Sequence, residues 1–371
     1  MRKQTDISGF YFRTELYYIE GGHLFMKKKL LALALAGCMV LATGCGKDDT
    51  DKEITTTKEE TTTEAVTEEV TEEATEEATE EASDDAEEED EDYTTGDASL
   101  DNPLNQDDIG ESELLVVSFG TSFNDNRRLT IGAIEGALAD AFPDYSVRRG
   151  FTSQIIIDHV KSRDGEEIDN VGEALDRAVA NGVKTLVVQP THLMDGYEYN
   201  DLVDEIGQYA DAFETISIGE PLLTTDEDFK AVAEAIVAAT SEYDDGKTAI
   251  CFMGHGTEAD SNGVYAHMQE IIDELGYENY FIGTVEATPS LDDLIAAVGE
   301  GDYERVVLEP LMVVAGDHAN NDMAGDDEDS WKSTFEAEGY EVVCVLRGLG
   351  EFPDIRQLYI KHAQEAIDKL N

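Results

Sequence analysis

Short apolar runs alternate with longer amphipathic stretches along the chain from about residue 111 to its end. Short runs of this kind predict buried β-strands, and apolar positions at helical spacing predict helices with one buried face. Strands that alternate with helices are typical of a parallel sheet covered by helices, so the fold class is α/β. The strands are predicted at residues 114–119, 145–150, 185–189, 215–219, 248–253, 280–284, 306–308 and 341–345. The helices are predicted at residues 126–141, 171–180, 198–210, 226–243, 262–275, 290–298, 330–338 and 353–370.

The pattern repeats itself within this region. Ser-Phe-Gly-Thr-Ser at 118–122 ends the first predicted strand, and Met-Gly-His-Gly-Thr at 253–257 ends the fifth. Later in each half, Pro190 and Pro310 are followed at the same interval by Gly196 and Gly316. We therefore predict two similar Rossmann-like or flavodoxin-like halves, 111–245 and 246–371, each with about four parallel strands flanked by helices. Ligands of such sheets bind beyond the carboxyl ends of the strands, where these loops lie.

The start of the chain has the order of a secretory signal. Met26 is followed by three lysines, an apolar run and a small-residue segment that ends at Cys45. Leu-Ala-Thr-Gly-Cys at 41–45 resembles a bacterial lipoprotein box, so residues 26–45 are predicted to be a signal peptide and Cys45 to be lipidated. Cys38 is the alternative lipidation site. Residues 1–25 precede a complete signal, and we expect that they reflect a misassigned start and are not expressed.

Residues 46–110 are rich in Asp, Glu, Thr and Ala and predict an acidic, disordered tether, because such a segment lacks the apolar residues of a core. The whole chain has 84 acidic and 25 basic residues. This balance argues against a nucleic-acid partner, which Lys and Arg would have to neutralise, and against docking on anionic lipids. We expect an extracytoplasmic protein that contacts the membrane through its lipid anchor only. Whether the chain forms a homo-oligomer stays open.

Cysteine and histidine positions narrow the chemistry. Cys251 and Cys344 lie in apolar runs and are predicted to be buried, with a disulfide as the alternative. Three of the seven histidines fall in predicted strand-end loops, namely His192, His255 and His318, while His159, His267 and His362 fall in helical stretches and His23 in the leader. Glycine on both sides of His255 lets the backbone approach a ligand closely.

Two further positions have alternative interpretations. Glu286 follows a predicted strand, where it either serves the cleft or complements the dipole of the next helix. His192 either lines the cleft or caps its own loop. Loop positions of this kind favour a functional role for His255 and His318.

At these motifs the sequence resembles the anaerobic sirohydrochlorin cobaltochelatases, class II chelatases related to ferrochelatase. The matching strings lie at 118–122, 189–192, 253–257, 285–289 and 310–319 and span the folded portion. The resemblance implies a chelatase-like fold and a lyase that inserts Co²⁺, or alternatively Fe²⁺, into the tetrapyrrole sirohydrochlorin in cobalamin biosynthesis, with release of two protons. It also implies that His255, Glu286 and His318 hold the metal and that His255 accepts a proton. No organic cofactor is expected.

Substrate binding is predicted at the strand-end loops, where backbone N–H groups near Gly120, Gly256 and Gly316 could receive carboxylates. The candidates are Phe119, Gly120, Thr121, Ser122, His192, Gly256, Thr257 and Gly316. The chain departs from the family at 258–260, where Glu-Ala-Asp replaces a segment that commonly carries another histidine.

The predicted export signal conflicts with cobalamin synthesis, which is cytoplasmic. The alternative function is therefore an extracytoplasmic lipoprotein that binds a metal, heme or another tetrapyrrole for uptake.

Overall fold

The computed structural model describes residues 95–370 and contains two parallel sheets of four strands each. The first has the order β2-β1-β3-β4 and the second β6-β5-β7-β8, so the connectivity of the two halves is the same. The strands are β1 (Ser112–Ser118), β2 (Ser146–Phe151), β3 (Thr185–Pro190), β4 (Thr215–Ile218), β5 (Thr248–Gly254), β6 (Tyr280–Thr284), β7 (Arg305–Pro310) and β8 (Glu341–Cys344). The predicted signal peptide and the lipidation at Cys45, or at Cys38, lie outside the described residues.

Helices connect the strands and cover both sheets. They are α1 (Asn124–Leu129), α2 (Ile131–Ala141), α3 (Gln154–Asp164), α4 (Val171–Ala180), α5 (Tyr197–Gln208), α6 (Asp226–Thr240), α7 (Gly263–Glu274), α8 (Leu291–Val298), α9 (Trp331–Ala337) and α10 (Pro353–Asp368). Three of them, α4, α6 and α8, begin with a capping box, in which the N-cap side chain and an acidic side chain at the third helical position satisfy backbone N–H groups reciprocally. No helix within residues 95–370 is long and apolar enough to cross a membrane.

The α/β class and all eight predicted strands are confirmed, with small shifts at the strand ends. The predicted helix at 126–141 is two helices, because the backbone at Thr130 leaves the helical region between α1 and α2. His159 lies in helical structure, as expected, within helix α3. The bounds of α3 were not among the predicted helices, because three consecutive isoleucines obscure the helical period at its start. Cys251 and Cys344 are free thiols, and Cys251 is buried.

Alternate residues of the central strands face different cores. Leu114 and Val116 of β1 face a core shared by both halves, whereas Leu115 and Val117 face a second core under α4 and α5. The shared core combines apolar residues of both sheets with α2, α6, α7 and α10. Its last contributor, α10, returns to the first half, where the Tyr359 hydroxyl donates a 2.7 Å hydrogen bond to the carbonyl of Thr191. The two halves are therefore joined by a common core.

The folded part begins earlier than the sequence indicated. Residues 95–110 were assigned to the acidic tether, but they lie against the first half. Asp101 forms ion pairs with the buried Arg127 at 2.6 Å and Arg149 at 2.7 Å, and Leu104 packs on the shared core. The prediction was wrong for this segment because a carboxylate that neutralises a buried guanidinium cannot be distinguished from a solvated one by composition.

Candidate metal centre

Three strand-end loops of the second half converge at one edge of its sheet. Strands β6, β5 and β7 are neighbours, and all are parallel, so the loops that follow them meet at the same carboxyl edge. His255 directly follows β5, Glu286 follows β6 and His318 lies in the loop after β7. These three side chains come together because the strands that precede them are neighbours in the sheet, although they are not all consecutive in the sequence.

The backbone around His255 requires glycine. Gly256 has a φ of +93°, in the region that favours glycine, and a Cβ at this position would lie 2.8 Å from the backbone nitrogen of Ala287. Its N–H donates to the Tyr265 hydroxyl at 3.2 Å. His255 Nδ1 lies 2.9 Å from the carbonyl oxygen of Gly256, an arrangement that leaves Nε2 for a ligand when Nδ1 carries the proton.

The Glu286 loop is tied to the His255 loop by its backbone. The N–H of Glu286 donates to the carbonyl of His255 at 2.9 Å, and the N–H of Val285 donates to Gly254 at 3.0 Å. The loop then closes on itself, because Thr284 donates through its backbone N–H and its hydroxyl to the carbonyl of Pro289. These bonds hold the loops of His255 and Glu286 side by side.

His318 is oriented by the turn that it begins. It precedes a π-helical turn, Ala319–Met323, which places Asp322 beneath it. His318 Nδ1 lies 2.6 Å from Asp322 Oδ2, so the carboxylate accepts the Nδ1 proton and leaves Nε2 for a ligand. The hydrogen bond with Asp322 and its negative charge raise the pKa of His318, although burial acts in the opposite direction.

Together the three side chains form a potential metal site. One ligand atom from each of them lies within 4.8 Å of the other two. The rings of His255 and His318 are 4.6 Å apart and nearly perpendicular, and Glu286 Oε2 lies 3.6 Å from His255 Nδ1. All three side chains are partly accessible to solvent, with 46%, 53% and 28% of their surface exposed. Two imidazoles and a carboxylate suit a divalent first-row ion and leave positions open for exchange.

The first half contributes to the surroundings of this site. The N–H of Ala315 donates to Asn126 Oδ1 at 2.8 Å, and a Cβ at Gly316 would lie 3.2 Å from Thr121 Oγ1. Of the predicted substrate-binding residues, Thr121 and Gly316 therefore adjoin each other across the two halves. Ser122 directly follows Thr121, and its carbonyl accepts a 2.6 Å hydrogen bond from Arg163.

Other predicted substrate contacts are either already hydrogen-bonded within the protein or lie in the first half. The backbone N–H groups of Gly256 and Thr257 already donate, to Tyr265 and Asn262, so neither is available for a substrate carboxylate. Phe119 is 46% exposed and follows β1. It borders a separate pocket in the first half, together with Glu198. Gly120 has a φ of +111° and abuts the Phe151 ring.

His192 does not belong to the group formed by His255, Glu286 and His318. Its side chain is only 8% exposed, and its Nε2 lies 3.6 Å from Glu198 Oε2. Burial lowers the pKa of His192 to about 4, so the imidazole is neutral at ordinary pH.

The sequence prediction omitted three residues that shape the site. Asp322 lies four positions after His318, the spacing of neighbours on a helical turn, and this spacing could have identified it. Tyr265 and Asn126 are distant in sequence from the residues that they contact, and no local signal marks them.

Comparisons with known proteins agree on one family. Residues 112–368 match the family described as Cobalt chelatase (CbiK). The chain is 37% identical over 255 residues to a protein from Salmonella typhimurium named Sirohydrochlorin cobaltochelatase, covering 69% of this chain and 96% of that protein. It is 30% identical over 260 residues to Sirohydrochlorin cobaltochelatase CbiKC from Nitratidesulfovibrio vulgaris, covering 70% of this chain and 91% of that protein.

Solved structures resemble the fold. SirB from Bacillus subtilis, in a structure with Fe³⁺, superposes with a TM-score of 0.51 at 15% identity. The sirohydrochlorin chelatase SirB from Bacillus subtilis subspecies spizizenii, in complex with cobalt, gives 0.50 at 14% identity. Each match covers 70% of this chain and 97% of the other. These similarities confirm the chelatase-like fold.

Proposed function

The chain belongs to the cobalt chelatase (CbiK) family, and on that premise we propose that it is a sirohydrochlorin cobaltochelatase, which inserts Co²⁺ into sirohydrochlorin. The relatives from Salmonella typhimurium and Nitratidesulfovibrio vulgaris carry this name and match the chain over most of their length. The enzyme would act in cobalamin biosynthesis. Fe²⁺ is the alternative metal, since imidazole and carboxylate ligands bind both ions.

The observation that carries this proposal is the convergence of His255, Glu286 and His318 on one strand edge. The metal is a substrate here, so it must be bound and then released. A site of two imidazoles and one carboxylate, without thiolate, holds such an ion weakly enough for transfer to four ring nitrogens. The partial exposure of all three side chains leaves one side of the ion open to the tetrapyrrole.

Insertion also requires that two pyrrole N–H groups lose their protons. We assign His255 as the proton acceptor, because the Nε2 lone pair becomes free for a proton as the ion passes to the ring nitrogens. The side chain is nearly half exposed, so it passes the first proton to solvent before the second is taken up. Asp322 holds the proton of His318 on Nδ1, which keeps the Nε2 lone pair directed away from the turn. Glu286 supplies a negative charge, which favours the divalent ion.

The tetrapyrrole is proposed to contact the loops that follow β1, β5 and β7. Backbone groups near Gly120 and Gly316 are candidates for its carboxylates, and the proximity of Thr121 to Gly316 supports a shared surface between the halves. The complete proposed set is Phe119, Gly120, Thr121, Ser122, Thr257 through its side chain, and Gly316.

The test uses the purified chain, sirohydrochlorin and Co²⁺. Absorbance changes of insertion should exceed the uncatalysed rate, and His255→Ala should lower the catalysed rate by about 100-fold or more. His159→Ala, which alters an exposed histidine on α3, is the matched control and should keep the wild-type rate. A wild-type rate equal to the uncatalysed rate would contradict the proposal.

A second candidate function is supported by the amino-terminal sequence. The lipoprotein-like box at 41–45 favours an extracytoplasmic protein anchored at Cys45, where the same ligands could capture a metal or a tetrapyrrole for uptake. Tight tetrapyrrole binding without insertion in the assay above would favour this role. Cell fractionation and mass spectrometry of the amino-terminal peptide test the anchor, which predicts a lipid on Cys45 and protein in the membrane fraction.

A further inference from the structure

The first half contains a counterpart of the metal centre. Strands β1 and β5 occupy the same place in their sheets, and Gly120 and Gly256 follow them with positive φ. Strands β3 and β7 end at Pro190 and Pro310, and Gly196 and Gly316 follow these prolines at the same interval. This correspondence matches Phe119 with His255 and Glu198 with His318, because each pair occupies the same offset from its glycine.

A pocket of about 320 Å³ lies at this corresponding place. The loops after β1 and β2 and the start of α5 contribute to it, whereas the loops after β5, β6 and β7 form the metal centre in the second half. Three carboxylates of α5 line it, namely Glu198, Asp201 and Glu205, and its lining residues include no lysine or arginine. A pocket with this charge attracts cations.

His192 adds an observation that is independent of the acidic residues. Its imidazole is buried, and neither ring nitrogen has a hydrogen-bond partner. A buried polar group without a partner is costly, so such a group in a folded protein calls for an unseen partner such as an ion. Its Nε2 faces Glu198 Oε2 at 3.6 Å, and half of the Glu198 side chain is exposed to solvent.

We propose that His192 and Glu198 bind a second divalent transition-metal ion, at the first-half counterpart of the metal centre. Ligand atoms about 2.1 Å from a tetrahedral ion lie about 3.4 Å apart, close to the separation observed here. No third His, Cys, Asp or Glu joins this pair within the reach of one ion among residues 95–370, so water completes the coordination. Two protein ligands make the site weak and exchangeable. The imidazole is uncharged and can donate its lone pair.

The experiment removes the first metal centre and then examines the second. The double variant His255→Ala, His318→Ala is titrated with Co²⁺ by equilibrium dialysis, and pulsed EPR detects nitrogen coupled to the bound ion. We expect about one Co²⁺ per chain, bound with one imidazole nitrogen. Adding His192→Gln should abolish the nitrogen coupling, and adding Glu198→Gln should weaken binding at least tenfold. Because the starting variant lacks two of the three proposed catalytic ligands, the result is independent of the chelatase assignment.

The matched control is His267→Gln in the same double variant. His267 is also flanked by two carboxylates, Asp226 at 3.1 Å and Glu270 at 3.2 Å, but it lies on the surface of α7. This control should keep both the bound ion and the nitrogen coupling. Circular dichroism shows whether each variant is folded. Glu198→Gln changes a side chain that is half exposed and keeps its size. The proposal is overturned if no Co²⁺ binds the double variant, if nitrogen coupling persists without His192, or if it disappears without His267.

Discussion

Single contacts determine how each ligand of the metal centre is presented. His318 donates from Nδ1 to Asp322 at 2.6 Å, and this one bond sets both the orientation of the ring and its affinity for protons. Because the pKa of His318 is raised, protons compete with a metal ion at a higher pH than they would for an ordinary histidine. Metal affinity is therefore expected to fall as the pH decreases through this raised pKa.

Replacing Asp322 tests its effect on the orientation of the His318 ring and its effect on the pKa of His318. In Asp322→Asn the hydrogen bond to a carboxylate and the negative charge that raise the pKa of His318 are lost, so the pH at which Co²⁺ affinity begins to fall should move lower, towards the ordinary pKa of histidine. Affinity at neutral pH should also fall by about 10-fold to 100-fold, because an outer-shell partner is weakened. Isothermal titration with Co²⁺ at several pH values measures both. Asp326→Asn, at an exposed carboxylate paired with Lys332, should change neither.

Gly256 is the second residue on which the site depends. Gly256→Ala should destabilise the protein by more than about 1–2 kcal/mol, since a left-handed residue carries that cost and the new Cβ would also collide with Ala287. The collision should move the Glu286 loop and abolish Co²⁺ binding. Gly276→Ala is the matched control, because Gly276 has a φ of +84° with no atom near its Cβ position. Equal losses of stability and unchanged Co²⁺ binding in the two variants would refute the role of the close approach between Gly256 and Ala287.

At the scale of secondary-structure elements, β1 carries a buried ionisable side chain. Glu113 lies on β1, and its Oε1 is 3.6 Å from a guanidinium nitrogen of Arg148 on β2. Neither carboxylate oxygen has a hydrogen-bond partner, and burial raises the pKa of Glu113 to about 7, although Arg148 opposes the change. The folded protein therefore keeps this proton at a pH where the unfolded chain, with an ordinary pKa, has lost it.

The sign of the pH dependence follows from this difference. The stability contributed by protonated Glu113 is complete below the ordinary pKa of 4.5 and is lost as the pH rises towards about 7. Relative to Glu113→Gln, the unfolding free energy of the wild type should decrease over this window by up to about 1.4 kcal/mol per pH unit. Urea denaturation from pH 4.5 to pH 8 measures it. Glu111→Gln, which changes an exposed carboxylate, is the control, and a flat difference for Glu113→Gln would contradict the assignment.

At the scale of the whole molecule, charge holds the segment at 95–110 on the fold. Asp101 neutralises two buried arginines, Arg127 and Arg149, which also pair with Glu166 and Glu135. Removing one member of such a network leaves buried positive charge without full compensation. These ion pairs therefore hold the segment against the first half.

Asp101→Ala should accordingly lower the unfolding free energy by about 3 kcal/mol or more. Asp97→Ala is the control within the same segment, because Asp97 is exposed and only caps a short 3-10 helix, Ala98–Leu100. That change should cost much less stability than Asp101→Ala, because it removes only an exposed cap. Thermal and urea unfolding compare the two variants. A similar small loss in both would mean that the segment contributes little to stability.

Much of the fold could be predicted from the sequence because its determinants are local. Apolar runs located all eight strands, and the repeated glycine and proline intervals indicated two similar halves. His255, Glu286 and His318 were named from their strand-end positions and motifs, and the structure brings them together, while their binding of metal stays a prediction. The start of α3 was obscured because its three isoleucines give no helical period.

The sequence by itself determined the α/β class, the repeat and the three candidate ligands, because each depends on residues that are close together along the chain. Tertiary structure alone decided which distant groups meet. It placed Asp101 against buried arginines, returned α10 to the first half and buried His192 beside Glu198. Such contacts depend on the order of strands and the packing of both halves, and neither leaves a periodic signal in the sequence.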